Sequence, residues 1–140
     1  MRFSTGQTIG RYVIESLLGE GGMGEVYRAH DSRLERHVAL KVLRNQTEDA
    51  GDEWNHAVLR MQREAKSVAA LSHPNIVAVF DVGEHEGSPY IAMEFVSGTP
   101  LRELIGTDAP LGRRLRIMLD VARALEAAHE ANIIHRDVKP

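Results

Sequence analysis

Leu18 to Lys41 reads LGEGGMGEVYRAHDSRLERHVALK. Gly19, Gly21 and Gly24 stand in the order G-x-G-x-x-G, Val26 follows, and Val38-Ala39-Leu40-Lys41 closes the stretch. Glycines at these spacings let a backbone turn sharply and approach a phosphate chain with no Cβ in the way. A lysine beyond them can reach the same phosphates as a point charge. The motif alone also marks dinucleotide-binding folds, where the glycines end a strand and open a helix. Here Glu25-Val26-Tyr27-Arg28-Ala29-His30 follows, led by β-branched and aromatic types, and apolar residues do not recur at helical spacing until well past Lys41. The pattern predicts strand, glycine turn, strand: a hairpin lid and not a helix-opening loop. A glycine-rich hairpin with no ligand satisfies the same residues, so the rest of the chain has to decide.

The 140 residues suffice for a domain with its own core. A net charge of −3 gives no basic field for nucleic acid or anionic membrane. The one basic cluster, Arg113, Arg114 and Arg116, reads as a solvated helix face. The absence of cysteine excludes disulfides, thiolate catalysis and cysteine-type zinc sites. The first ten residues lack the apolar run of a signal peptide, and no segment approaches the ~20 apolar residues of a membrane span. A cytoplasmic chain without a membrane segment is the expectation.

Residues 1–10 are polar and loosely patterned, a short lead-in. Strands are predicted from Arg11 to Leu18, Glu25 to about Ala29, His37 to Leu43, Ile76 to Val82 and Tyr90 to Val96. Val38 to Leu43 is almost continuously apolar, as a central strand would be. A helix fits Glu53 to Leu71, where Val58, Met61, Ala65, Val68 and Leu71 fall on one face. His73-Pro74-Asn75 ends it. Gly83 to Pro89 is expected to turn, Ser97 to Pro100 to break the chain, and Leu101 to Ile105 to make one or two helical turns. From Leu111 to about Ala131 an apolar stripe of Leu115, Met118, Leu119, Ala122, Leu125 and Ala128 predicts a second helix. Pro110 suits its first turn, and Asn132 suits a left-handed position just past its end.

Six features now stand in order: the glycine loop, the VALK strand, a helix carrying a glutamate, HPNIV at 73–77, MEFVSG at 93–98, and the closing HRDVKP. In this order the chain resembles the protein kinases, and its wording is most similar to bacterial serine/threonine kinases of the eukaryotic-like type. The resemblance covers nearly the whole chain. It implies an α+β fold: a five-stranded antiparallel small lobe with one regulatory helix over residues 1–96. Residues 97–140 would then be the hinge exit and the first helices of an incomplete helical large lobe, ending in the catalytic loop.

The resemblance also implies roles. Leu18, Gly19, Glu20, Gly21, Gly22, Met23 and Gly24 would cover the phosphates of ATP, and Lys41 would contact them. Glu64 would pair with Lys41. Its spacing, three past Met61 and four before Val68, puts it on or beside the buried helix face, where a carboxylate needs a partner. Glu53 is the rival, although the helix start gives it a capping role. Val26 and Ala39 would sandwich adenine, Met93 would close the back of the pocket, and Glu94 and Val96 would offer backbone C=O and N–H groups to the adenine edge. Asp137 is the expected catalytic base. Lys139 resembles the lysine that serine/threonine-specific kinases bring to the γ-phosphate, and Arg136 implies control by a phosphorylated activation loop. The histidines at 30, 37, 56, 73, 85 and 129 show no ligand spacing, and His135 reads as a packing residue.

The family pattern goes on to an asparagine and an Asp-Phe-Gly that hold Mg²⁺. These are absent from the 140 residues, so the expectation is a partial chain without its magnesium ligands and without useful turnover alone. Its partners would be ATP and a protein bearing serine or threonine. A non-catalytic nucleotide-binding or interaction module built on a kinase small lobe is the alternative. The stripe on 111–131 is expected to lack a cover, leaving residues 111–140 loosely packed and prone to associate.

Overall fold

Alternation from Tyr12 onward builds a sheet whose two faces do different work. The computed structural model describes residues 3–21, 24–43, 51–135 and 138. Six strands form in it: β1 (Thr8–Ile9), β2 (Tyr12–Gly21), β3 (Gly24–Asp31), β4 (Arg36–Leu43), β5 (Val79–His85) and β6 (Ser88–Glu94). Helix α1 (Gly51–Ala69) lies between β4 and β5 in sequence, and helix α2 (Leu111–Glu130) follows a 3-10 turn at Leu101–Leu104. The sheet order is β1-β2-β3-β4-β6-β5, with every neighbouring pair antiparallel.

All five expected strands form, and a sixth joins them. β1 is only two residues long, too short to show a period, and it pairs Thr8 with Val13 and Ile9 with Tyr12. β5 begins three residues later than expected, because a turn uses Ile76, whose N–H donates to the His73 carbonyl at 3.1 Å. The turn expected over Gly83 to Pro89 shrinks to Glu86 and Gly87, with φ of 49° and 75°. Two consecutive left-handed residues match the twist of a hairpin and let both strands run to its tip.

Directly paired residues share a sheet face. One face carries Tyr12, Ile14, Tyr27, Ala29, Val38, Leu40, Val42, Tyr90 and Ala92, which with Ile9 make the main core. The other carries Leu43 and Ile91, on which α1 seats Met61 and Ala65, with Trp54, Val79, Val82 and Met93 around them.

The chain divides into two compact units, Met1–Ala69 with Ala78–Phe95, and Ala70–Val77 with Val96–Pro140. In the second, Asn75 donates its side-chain amide to the Asp120 carbonyl of α2 at 3.1 Å. Pro110 caps the start of α2. At its end Asn132 takes φ 59°, its N–H reaching the His129 carbonyl at 2.9 Å while Ile133 N–H reaches that of Ala128 at 2.9 Å. That is a Schellman closure, with asparagine in the left-handed place. No residue of α2 is buried, and Leu111, Leu115, Met118 and Leu119 are exposed. Among the described residues no helix is long and apolar enough to cross a membrane.

Candidate functional site

The glycine hairpin joins β2 to β3, and its register decides which side chains lie beneath it. Gly19 pairs with Val26, Val26 with Lys41, and Lys41 with Ile91, making one row across four strands. The next row runs Ser16, Arg28, Ala39, Met93. Val26, Ala39, Lys41 and Met93 therefore share a face, the one opposite the main core. Ala39 is buried, while Val26, Lys41 and Met93 are half-buried.

The three glycines of the motif have different reasons to be glycine. At Gly24, φ is 149° and a Cβ would stand 2.1 Å from the Val42 carbonyl oxygen, so the fold itself forbids a side chain there. Gly19 and Gly21 have no heavy atom within 4 Å of a Cβ position, and neither has a positive φ. Neither fold strain nor packing asks for glycine at these two positions. Leu18 and Glu20 beside them are exposed, and Leu18 is the extra residue of a bulge between Leu17 and Gly19. A bulge bends its strand and re-aims the residues beyond it.

Glu64 requires a correction. The expected place on or beside the buried face of α1 belongs to Met61 and Ala65, whereas Glu64 is exposed. One step along a helix turns a side chain by about 100°, which carries Glu64 from Ala65 to the flank. Among the described residues no ion pair joins it to Lys41. Glu94 is exposed. Its N–H donates to the Ala78 carbonyl at 2.8 Å and its carboxylate accepts the Ala78 N–H at 3.2 Å, so the role expected of Glu94 rests on its carbonyl. Val96 is exposed and opens the second stretch of the second unit. Gly22, Met23, Arg136, Asp137 and Lys139 lie outside the described residues.

Sequence reasoning missed three polar clusters of the first unit. Asp31 is fully buried; its carboxylate accepts the N–H groups of Arg33 at 3.0 Å and Leu34 at 3.2 Å and the Arg11 guanidinium at 3.3 Å. Burial works to raise its pKa, but those donors outweigh burial and hold it below the ordinary value. Arg11 also meets Asp81 at 3.2 Å, and the Tyr12 hydroxyl donates to Asp81 at 3.0 Å. Burial first, and that carboxylate second, push the Tyr12 phenol up. The second cluster lies beside Ala39: the Glu15 carboxylate forms an ion pair with Arg28, Oε2 to Nε at 2.8 Å, and stands 3.2 Å from His37 Nδ1, while the Arg28 guanidinium sits 5.1 Å from the Phe95 ring centre. The third is buried Glu25, which accepts the Tyr27 hydroxyl. Parity carried a signal for it, since Glu25 falls in step with Tyr27 and Ala29.

The protein kinase domain family model matches residues 12–140. Among curated proteins, the serine/threonine-protein kinase PknB of Mycobacterium leprae is 48% identical over 136 residues, covering 93% of this chain and 21% of its own length. A probable serine/threonine-protein kinase of Streptomyces coelicolor is 48% identical, covering 94% of this chain and 20% of itself. The kinase pkn3 of Myxococcus xanthus is 47% identical, covering 96% and 25%. Among solved structures, the apo form of PpkA-294 superposes with a TM-score of 0.87 at 28% identity, over 99% of this chain and 55% of that one. The PknI kinase domain of Mycobacterium tuberculosis gives 0.78 at 37%, over 100% and 57%. The chain thus spans a fifth to a quarter of the curated relatives it matches and a little over half of the kinase chains.

Proposed function

The chain belongs to the protein kinase domain family, and from that premise we propose that it carries the ATP-binding half of a bacterial protein serine/threonine kinase. The observation that supports this best is the shared face of Val26, Ala39, Lys41 and Met93 beneath a hairpin whose Gly19 and Gly21 serve no need of the fold. Open space above two glycines fits a phosphate chain, and a small, apolar, β-branched surface fits a flat base. Residues 1–96 act as the small lobe and 97–140 as the hinge exit and the start of the large lobe. The proposal places this chain in the cytoplasm, where ATP is available.

Each residue has a role in this proposal. Val26 and Ala39 bracket adenine, Met93 limits its depth, and Glu94 and Val96 present backbone groups to its edge. The amides of residues 18–24 and the Lys41 ammonium hold the phosphates, with Glu64 orienting Lys41 once α1 turns it inward. Asp137 takes the proton of a serine or threonine hydroxyl, and Lys139 offsets charge on the transferred group. ATP would supply the phosphoryl group, and a bound Mg²⁺ would supply charge neutralisation, its family ligands being the asparagine and the Asp-Phe-Gly aspartate that these 140 residues do not include.

The test is titration of the chain with ATP, with and without Mg²⁺, for the wild type and Lys41→Ala. Loss of a charge-assisted contact worth about 1.5–3 kcal/mol predicts a weakening of roughly ten- to a hundredfold. ATP binding that Lys41→Ala leaves unchanged contradicts the assignment.

A further inference from the structure

Arg28 is a charged residue on the face assigned above to the base. It pairs with Ala39 on β4 and follows Val26 by two residues on β3, so it shares their face. An apolar side chain would continue that surface, whereas an arginine there needs partners. Glu15 and His37 supply them. Glu15 is the extra residue of a bulge between Ile14 and Ser16, which sets it and Ser16 opposite Arg28. Its Oε2 stands 2.8 Å from Arg28 Nε. Arg28 Nη2 meets His37 Nε2 at 3.3 Å. A guanidinium only donates, so Nε2 accepts and the ring proton sits on Nδ1, the nitrogen 3.2 Å from Glu15 Oε2. The three side chains thus close a ring about one planar cation. His30 stands edge-on to His37 at 5.7 Å.

The cation is held against Phe95. Arg28 Cζ lies 5.1 Å from the centre of the Phe95 ring. Phe95 falls two residues past Met93 and is the last residue of the first unit. The β4–β6 ladder ends one residue earlier, at the pair Val38–Glu94. Glu94 is tied to the chain entering β5, its N–H donating to the Ala78 carbonyl at 2.8 Å. Phe95 therefore lies past the last rung, where a side-chain contact takes over from the ladder. Ion pairing fixes the plane of the guanidinium, and a plane already fixed loses less freedom when an aromatic ring stacks on it.

We propose that Arg28, held by Glu15 and His37, is a positioning residue for base recognition. It fixes Phe95, and with it the peptide bond entering Phe95, whose carbonyl is that of Glu94. The clamp stands on its own contacts; its effect on the base rests on the adenine reading above. Fluorine NMR tests the clamp on the ligand-free 140-residue chain carrying 4-fluorophenylalanine at its three phenylalanines, Phe3, Phe80 and Phe95. Arg28→Gln removes the cation, and Glu15→Gln removes the charge that fixes it. Each is expected to shift the Phe95 resonance while those of Phe3 and Phe80 stay in place. Arg28→Lys keeps a charge beside Glu15 but has no plane to stack. It should hold the wild-type urea midpoint and still leave the Phe95 resonance shifted. Adenosine and tripolyphosphate then probe the two halves of ATP separately. All three variants should bind adenosine about two- to fivefold more weakly, the population lost with an exposed cation–π contact, and tripolyphosphate as the wild type does. An unmoved Phe95 resonance in Arg28→Gln, a wild-type spectrum in Arg28→Lys, or equal weakening of adenosine and tripolyphosphate would overturn the proposal. A wild-type chain that binds neither compound would defeat the nucleotide reading alone, leaving the ligand-free spectrum to judge the clamp.

Discussion

Helices α1 and α2 are nearly equal in length, at 19 and 20 residues, and both are amphipathic, yet their apolar faces end up differently. In the first unit α1 buries Met61 and Ala65 against Leu43 and Ile91. In the second, α2 has no buried residue, and Leu111, Leu115 and Met118 remain 71%, 60% and 51% exposed. Hydrophobic period records that a helix has a partner surface; it does not say that the surface lies within the same stretch of chain. The sheet supplies that surface for α1. The apolar face of α2 lies open beside a cavity of about 400 Å³ lined by Leu101, Leu104, Ile105, Ile117 and Met118.

The largest effect that could break this contrast lies in the sheet. Leu40 is fully buried in the main core, and Leu40→Ala should lower unfolding stability in urea by about 2–5 kcal/mol. Leu115→Ala on α2 should move it by less than about 0.5 kcal/mol. Equal costs would dissolve the distinction between the packed core of the sheet and the open face of α2. Next comes Gly24→Ala, which drives a methyl group into the Val42 carbonyl and should cost about 1–3 kcal/mol in the same experiment. Gly19→Ala and Gly21→Ala meet open space and should leave unfolding unchanged. A large loss at either position would mean that the fold, and not a ligand, asks for those glycines.

Smaller effects sharpen the picture. Leu115→Ser together with Met118→Ser should reduce self-association in sedimentation velocity while the urea midpoint of the sheet holds, because an exposed apolar face favours association. The smallest is pH-dependent. Asp31 has a folded pKa below its unfolded one, so its contribution is fully present above the unfolded value of about 4 and is lost as pH falls through the folded value. The stability gap between wild type and Asp31→Asn should therefore be constant from neutral pH down to about pH 4 and close below it. A gap that widens on acidification would reverse the sign assigned to Asp31.

Much of this was legible from residue order. Alternation after Gly24 separated a hairpin from a helix-opening loop, and the register then put Val26, Ala39, Lys41 and Met93 on one face. Pro110 and Asn132 marked the ends of α2 because each has a local conformational reason to be there. What escaped depended on contacts distant in sequence. The Tyr12–Asp81 bond spans 69 positions, and no local pattern announces it. β1 was too short to show a period. Glu64 was placed by the family resemblance with helical spacing in support, and spacing fixes an angle around the helix but not which flank faces the sheet.

The central claim is that one face of the sheet receives a nucleotide while the other is core. The direct measurement is methyl NMR on the selectively labelled chain during titration with ATP. The account predicts that the methyl signals of Val26, Ala39 and Met93 move with saturation, while those of Val38, Leu40 and Val42 on the opposite face stay still. Movement of the core-face methyl groups with Val26 and Ala39 silent would contradict it.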